Sequence, residues 1–150
     1  MGAITDALTT ITAGIAQALA AEVDVQEHPG RFTEEELTQI LLKQRSVRVA
    51  VEQIPALEVE SSGVRKAEIQ FSAVVICADR KGVDRHQEAL NIVETLASLI
   101  PYATWGDRQR FRAVEPKNIT ADNLYSGDIR GKGIAMWALS WKQTIRNPQE

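Results

Sequence analysis

Cysteine, histidine and aromatic residues are scarce in this chain of 150 residues. Its one cysteine, Cys77, cannot form an internal disulfide, and the apolar run around it predicts a buried thiol that acts as a small hydrophobe. The two histidines, His28 and His86, lie far apart and match no paired ligand spacing, so no zinc site is expected. They also offer few bases for nucleophilic catalysis. We therefore expect a protein that is not an enzyme and that binds no cofactor or metal.

The chain also lacks a basic excess and any long apolar run. A net charge of -3 and a pI near 5.5 disfavour a protein whose main role is to grip nucleic acid, because that affinity comes largely from Lys and Arg. Its apolar stretches are far shorter than the roughly 20 residues that cross a bilayer. The N-terminus has no basic segment followed by an apolar core. We expect a cytoplasmic chain with no membrane partner.

Length and composition are those of one ordinary domain over residues 1–150, with 44% hydrophobic and 25% charged residues and no internal repeat. The patterns predict an α+β fold with a mostly antiparallel or mixed sheet, about three flanking helices and a hairpin with a long loop. The predicted helices cover residues 5–21, a stretch after Thr33, and 84–100; the predicted strands cover 23–26, 46–54, 67–78, 112–125 with an interruption at Pro116, and 134–145.

Helix caps and strand periodicity carry these assignments. Thr33 before an acidic triplet fits a capping box better than a metal-ligand cluster, and Asp84 resembles a second capped helix start. Alternating valines after Ser46 predict a strand with one solvated face, which Pro55 is expected to end.

The strand over residues 67–78 is apolar on one face throughout and turns apolar on the other at Val74 and Ile76. We expect its later half to be covered on both sides, with the first or third helix as the second cover.

Arg108, Arg110 and Arg112 recur at every second residue, so on an extended segment all three side chains would project to one side. Two interpretations remain open. The arginines form a solvated strand face, or they form a strip that meets acidic residues of a neighbouring subunit or a phosphate backbone. The glycines Gly127, Gly131 and Gly133 lack the spacing of a phosphate-binding loop and predict loop flexibility.

The order of elements resembles the tail-terminator proteins of long-tailed phages, and its details are most similar to the Mu-like tail-completion family. The resemblance covers nearly the whole chain: the opening helix over residues 4–21, the transition from Val23-Asp24-Val25 to Pro29-Gly30, the strand 71–78, the helix 84–100 and the ending 133–145.

The resemblance implies a structural virion protein with no catalytic residues. Such a subunit forms a ring homo-oligomer, expected to be a hexamer, on the head-proximal end of the tail tube. The ring ends tube polymerisation and offers a surface for the head-tail connector. The implied partners are further copies of the chain, the tail tube protein and the connector or neck protein. Assembly would occur in the host cytoplasm, and genomic DNA would pass through the ring without sequence-specific binding.

Closed rings need two different complementary surfaces on each subunit. Two polar loops, over residues 55–66 and 126–133, and the arginine strip are the candidates. The candidate assembly contacts are Glu60, Ser61, Ser62, Val64, Arg65, Arg108, Arg110, Arg112, Asp128, Arg130 and Lys132. The alternatives are another phage neck or head-completion protein, or a small-molecule enzyme or binding module.

Overall fold

A computed structural model describes residues 2–30, 32–41, 45–59, 65–79, 82, 84–124 and 133–147. Its helices are α1 (Ala3–Ala18), α2 (Glu34–Leu41) and α3 (Arg85–Leu99); its strands are β1 (Asp24–Glu27), β2 (Arg45–Val59), β3 (Arg65–Ala78), β4 (Ile119–Asn123) and β5 (Ile134–Asn147). The strands form one sheet in the order β1-β2-β3-β5-β4. β1 runs parallel to β2 and all other neighbours are antiparallel. The predicted α+β class with a mixed sheet and three helices is confirmed.

Helices α1 and α3 cover one face of the sheet, here called the α1/α3 face. Ala7, Ile11 and Ile15 of α1 are buried against it, as are four apolar residues of α3, namely Ala89, Ile92, Val93 and Leu96. The odd-numbered residues of β3 and β5, from Ile69 to Cys77 and from Ala135 to Ile145, point to this side because side chains alternate along a strand. The predicted burial of Cys77 is confirmed.

The opposite face, here called the α2 face, carries a smaller apolar cluster. Leu37 of α2 packs there with Val74 and Ile76, and with Ile134 and Met136 of β5. The expected second cover for the end of β3 was therefore wrong, because α2 provides it and α1 and α3 share the other face. The short eight-residue α2 covers only that end of the sheet.

The helix starts follow their predicted caps. The Thr33 hydroxyl accepts a hydrogen bond from the Glu36 amide at 3.1 Å, and the Asp84 carboxylate accepts one from the His86 amide at 2.9 Å. Helix α1 begins two residues and ends three residues earlier than predicted. Its last backbone hydrogen bond runs from the Leu19 amide to the Ile15 carbonyl, and the turn that follows is not signalled by the alanine-rich sequence.

One of two strand predictions at a proline was wrong. β2 continues through Pro55 to Val59, because the register with β3 shifts between Gln53 and Ala56 and the proline sits in that irregularity. In the predicted strand 112–125, the interruption at Pro116 is confirmed as a 3-10 turn over Pro116–Asn118, and β4 after it pairs with β5. Because β2 ends at Val59 and β3 begins at Arg65, the connection between these two strands is shorter than the predicted loop over residues 55–66.

Gly14 of α1 is the point where Trp105 approaches the helix. A Cβ at residue 14 would lie 2.8 Å from Cε3 of the indole, closer than real Cβ contacts come. We expect Gly14→Ala to lower the free energy of unfolding by about 1 kcal/mol, because overpacking costs more than the helix propensity that alanine adds.

Urea denaturation checks this value. In a Trp105→Leu background the same alanine should be neutral or stabilising, since the indole ring is gone. Equal losses in both backgrounds would contradict the steric explanation.

Candidate assembly surface

The outer half of β2 forms an arm that only β3 supports. β1 pairs with Ser46 to Val49, and among the described residues the backbone of β2 beyond Val49 pairs with β3 alone. Residues 52–58 are all exposed. Ile54 is 43% exposed and Leu57 66%, although Leu57 lies beside the buried Ala67 on the α1/α3 face. The arm thus presents an unpaired strand edge with apolar side chains, a common feature of interaction surfaces.

The opposite edge of the sheet is formed by β4 and, further along β5, by residues 110–112. The Arg112 amide donates to the Thr144 carbonyl at 3.0 Å, and the Arg146 amide donates to the Arg110 carbonyl at 2.8 Å. Between these bonds Phe111 bridges to Ile145 and is buried. Residues 110–112 therefore add a short fourth strand beside β2, β3 and β5 at the end of the sheet where Val59, Arg65 and Asn147 lie.

The three arginines do not lie on one extended strip as the spacing predicted. Residues 108–110 form a turn, in which the Asp107 carboxylate accepts hydrogen bonds from the Gln109 and Arg110 amides. Only Arg110 and Arg112 flank Phe111 on the extended piece, and Arg108 projects from the turn before it. Alternation holds only for extended backbone. Arg108 and Arg112 are nevertheless exposed, so the basic character of this edge remains.

A buried amide holds the segment of residues 101–115 against β5. Gln143 is 2% exposed; its Oε1 accepts a hydrogen bond from Trp105 Nε1 at 2.9 Å. Its Nε2 donates to the carbonyls of Ala103 and Arg112, at 3.0 and 2.8 Å. One side chain thereby ties three points of the segment to the sheet. The candidate residues predicted from the sequence did not include Gln143, although a glutamine among the inward Leu139, Trp141 and Ile145 of β5 was a signal.

The same segment has strained backbone at two residues. Tyr102 and Trp105 have φ angles of 62° and 54°, in the left-handed region that side chains other than glycine rarely adopt. The Tyr102 amide donates to the Val114 carbonyl at 2.7 Å, so the two ends of the segment are bonded together. The Tyr102 ring is 71% exposed. Surrounding contacts hold the strained conformation and present this ring to solvent.

The other predicted contact residues fall where the structure gives no side-chain description. Glu60, Ser61, Ser62, Val64, Asp128, Arg130 and Lys132 lie outside the described residues. Arg65 begins β3 and pairs in register with Val59 and Asn147, and its side chain is not described. Those assignments stay predictions.

A shallow groove of about 400 Å³ runs along the α2 face. Two of its charged groups, Arg48 and Glu52, are paired within the protein. Arg48 donates to the Asp24 carboxylate and carbonyl, both at 2.7 Å, and Glu52 accepts from Gln70 at 2.8 Å and from Ser140 at 3.2 Å. A ligand in this groove would have to compete with these bonds.

His28, which follows β1, links this strand to α2 through hydrogen bonds. Its Nδ1 accepts a hydrogen bond from the Gly30 amide at 2.9 Å, so the proton lies on Nε2, which donates to Glu36 Oε2 at 2.6 Å. The ring stacks on Phe32. The hydrogen bond from His28 holds the pKa of Glu36 below its ordinary value, so the attachment weakens as the pH falls through that lowered pKa. Both ring nitrogens of the histidine are occupied by structural bonds.

Within the part of the chain that the structure describes, no group of three or more His, Cys, Asp or Glu side chains is placed to hold a metal ion. The helices of that part include none long and apolar enough to cross a membrane. Comparison with models of known protein families gives no match for this chain, and comparison with curated proteins gives none either.

Proposed function

We propose that this chain is a structural subunit of a phage tail, which forms a ring on the head-proximal end of the tail tube, ends tube polymerisation and receives the head connector. The arm formed by the outer half of β2 is the observation that supports the proposal. An exposed strand edge with Ile54 and Leu57 is a liability in a free monomer, since it favours pairing with another chain. It is useful in a subunit that assembles.

The arm of β2 and the opposite edge of the sheet at residues 110–112 differ in chemistry. This difference favours a closed ring over a two-fold dimer. One edge is the arm, with exposed aliphatic side chains, and the other is the segment around Phe111 with its arginines. A contact between unlike surfaces repeats from subunit to subunit and closes when the rotation fits.

An early stop codon in the gene, placed in a phage or prophage that encodes it, tests the role by electron microscopy of the lysate. We expect overlong or unfinished tails that lie apart from filled heads. Tails of normal length beside unjoined heads would move the protein to the neck or head-completion role. Intact infectious particles would overturn the structural role and leave the groove on the α2 face as the site to screen with metabolites.

Complementation of the stop mutant tests the arm itself. Wild-type protein should restore infectious particles and Leu57→Asp should not, because the charge would oppose burial of this side chain in an interface. Leu90→Asp is the matched control, since Leu90 is a 43% exposed leucine on α3, away from the arm. Equal rescue by both variants would exclude the arm from assembly.

A further inference from the structure

The arm of β2 and residues 110–112 lie on opposite edges of the sheet but at the same position along the strands. Leu57 pairs with Ala67, Ala67 with Ile145, and Ile145 with Phe111. The next row runs from Glu58 through Lys66 and Arg146 to Arg110, by the same registers and the Arg146–Arg110 backbone bond. A subunit placed beside another without stagger would therefore bring Leu57 of one copy to Phe111 of the next, and Glu58 to Arg110.

The charges of the two edges are complementary. The described part of the arm, residues 50–59, contains the glutamates Glu52 and Glu58 and no lysine or arginine. Residues 108–112 contain three arginines and no acidic residue. Glu58 lies beside Lys66 on its β3 side, whereas Arg110 of the same subunit is separated from it by the width of the sheet.

The side chains at the two edges also point to matching faces of the sheet. Leu57 and Phe111 lie in the row of Ala67 and Ile145, which point to the α1/α3 face, whereas Glu58 and Arg110 lie in the row that points to the α2 face. On one side of the seam Leu57 would cover the edge that the buried Phe111 closes, and on the other side opposite charges would meet.

We infer that the arm of one copy of this chain docks on residues 108–112 of the next copy, head to tail, with Glu58 facing Arg110. The Phe111 amide already donates to the Asp107 carbonyl at 3.0 Å, so side chains carry this contact more than a continued backbone ladder. Arg110 lies 3.9 Å from Asp107, at the outer limit of an ion pair, and turns to the glutamate of the neighbour on assembly. The inference rests on the proposed ring, whose subunit contact it specifies.

Disulfide trapping of the full-length protein tests the contact. The variant with both Glu58→Cys and Arg110→Cys should give a ladder of covalent oligomers on oxidation, because each subunit links to two neighbours. Each single variant should stay monomeric on a denaturing gel, since unlike surfaces meet. Cys77 is buried and does not contribute. Dimers from Glu58→Cys alone would show a symmetric contact and overturn the inference, as would a double variant that gives no ladder at any protein concentration.

Charge reversal gives a second test on soluble protein by sedimentation. Glu58→Arg and Arg110→Glu should each weaken self-association by about tenfold, and the two together should restore it. Glu94→Arg on the exposed side of α3 is the control, with no expected change. Single variants that associate as the wild type does would contradict the pairing, and thermal unfolding verifies that each variant is folded.

The trapping result separates this contact from the phage role. A ladder without a tail defect in the stop mutant would keep the contact and remove the proposed function. A tail defect without a ladder would keep the function and remove the contact.

Discussion

Replacing Arg45 with methionine should lower the free energy of unfolding by about 3 kcal/mol, because it removes the cation that lies against the buried Glu88 carboxylate. Arg45 Nε lies 3.0 Å from Glu88 Oε1, and the two side chains are only 16% and 8% exposed. The pair joins the first residue of β2 to the first turn of α3. Urea denaturation at neutral pH measures the loss.

The double variant Arg45→Met with Glu88→Met separates the two contributions to this loss. It should recover most of the stability, since no buried charge remains. Lys117→Met is the control at the surface, where the ion pair with Glu115 is exposed and its removal should cost less than about 1 kcal/mol. If the single and double variants at Arg45 lose the same amount, the desolvated carboxylate is not the cause.

Gln143→Leu should lower the free energy of unfolding by about 3 kcal/mol. Leucine fills a similar volume but leaves Trp105 Nε1 and the carbonyls of Ala103 and Arg112 without their bonds. The segment of residues 101–115 should loosen first, so amide exchange at Arg112 and Arg146 should accelerate more than exchange in the middle of β3.

Gln70→Leu is the matched control for this variant. Gln70 makes one exposed hydrogen bond, to Glu52, and its loss should change stability by less than about 1 kcal/mol. A uniform rise of exchange over the whole sheet in Gln143→Leu would contradict the local role, because it would mean that the amide stabilises the fold without holding the segment.

Loosening of this segment also bears on assembly. Arg110, Phe111 and Arg112 reach the sheet edge through the same segment, so Gln143→Leu should weaken the proposed contact between copies even though Gln143 itself is buried. Sedimentation of the folded variant checks this expectation.

Local signals in the sequence predicted the centre of this fold. Asp84 and Pro101 bracket α3, and the alternation along β3 and β5 identified their inward faces, because capping and two-residue periodicity act between near neighbours. Pro55 misled the prediction because its effect depends on the partner strand, which shifts register there and tolerates a residue without an amide hydrogen.

The candidate surface was less predictable than the fold. The spacing of Arg108 and Arg110 suggested one strip, but a turn closed by the Asp107 carboxylate intervenes. The bond between Trp105 and Gln143 joins residues 38 apart, and no local pattern encodes such a distance. The exposure of Leu57 could not be predicted either, because it depends on how far β1 extends along β2.

The position of β3 has a consequence for synthesis on the ribosome. β3 lies between β2 and β5, but β5 follows it by more than fifty residues and spans 134–147. Until that last strand emerges, Phe71 and Val75 lack the neighbours Trp141 and Trp137, and the core cannot close. Folding should therefore be completed only after residues 134–147 have left the ribosome, and products truncated before residue 134 should be degraded as unfolded polypeptides.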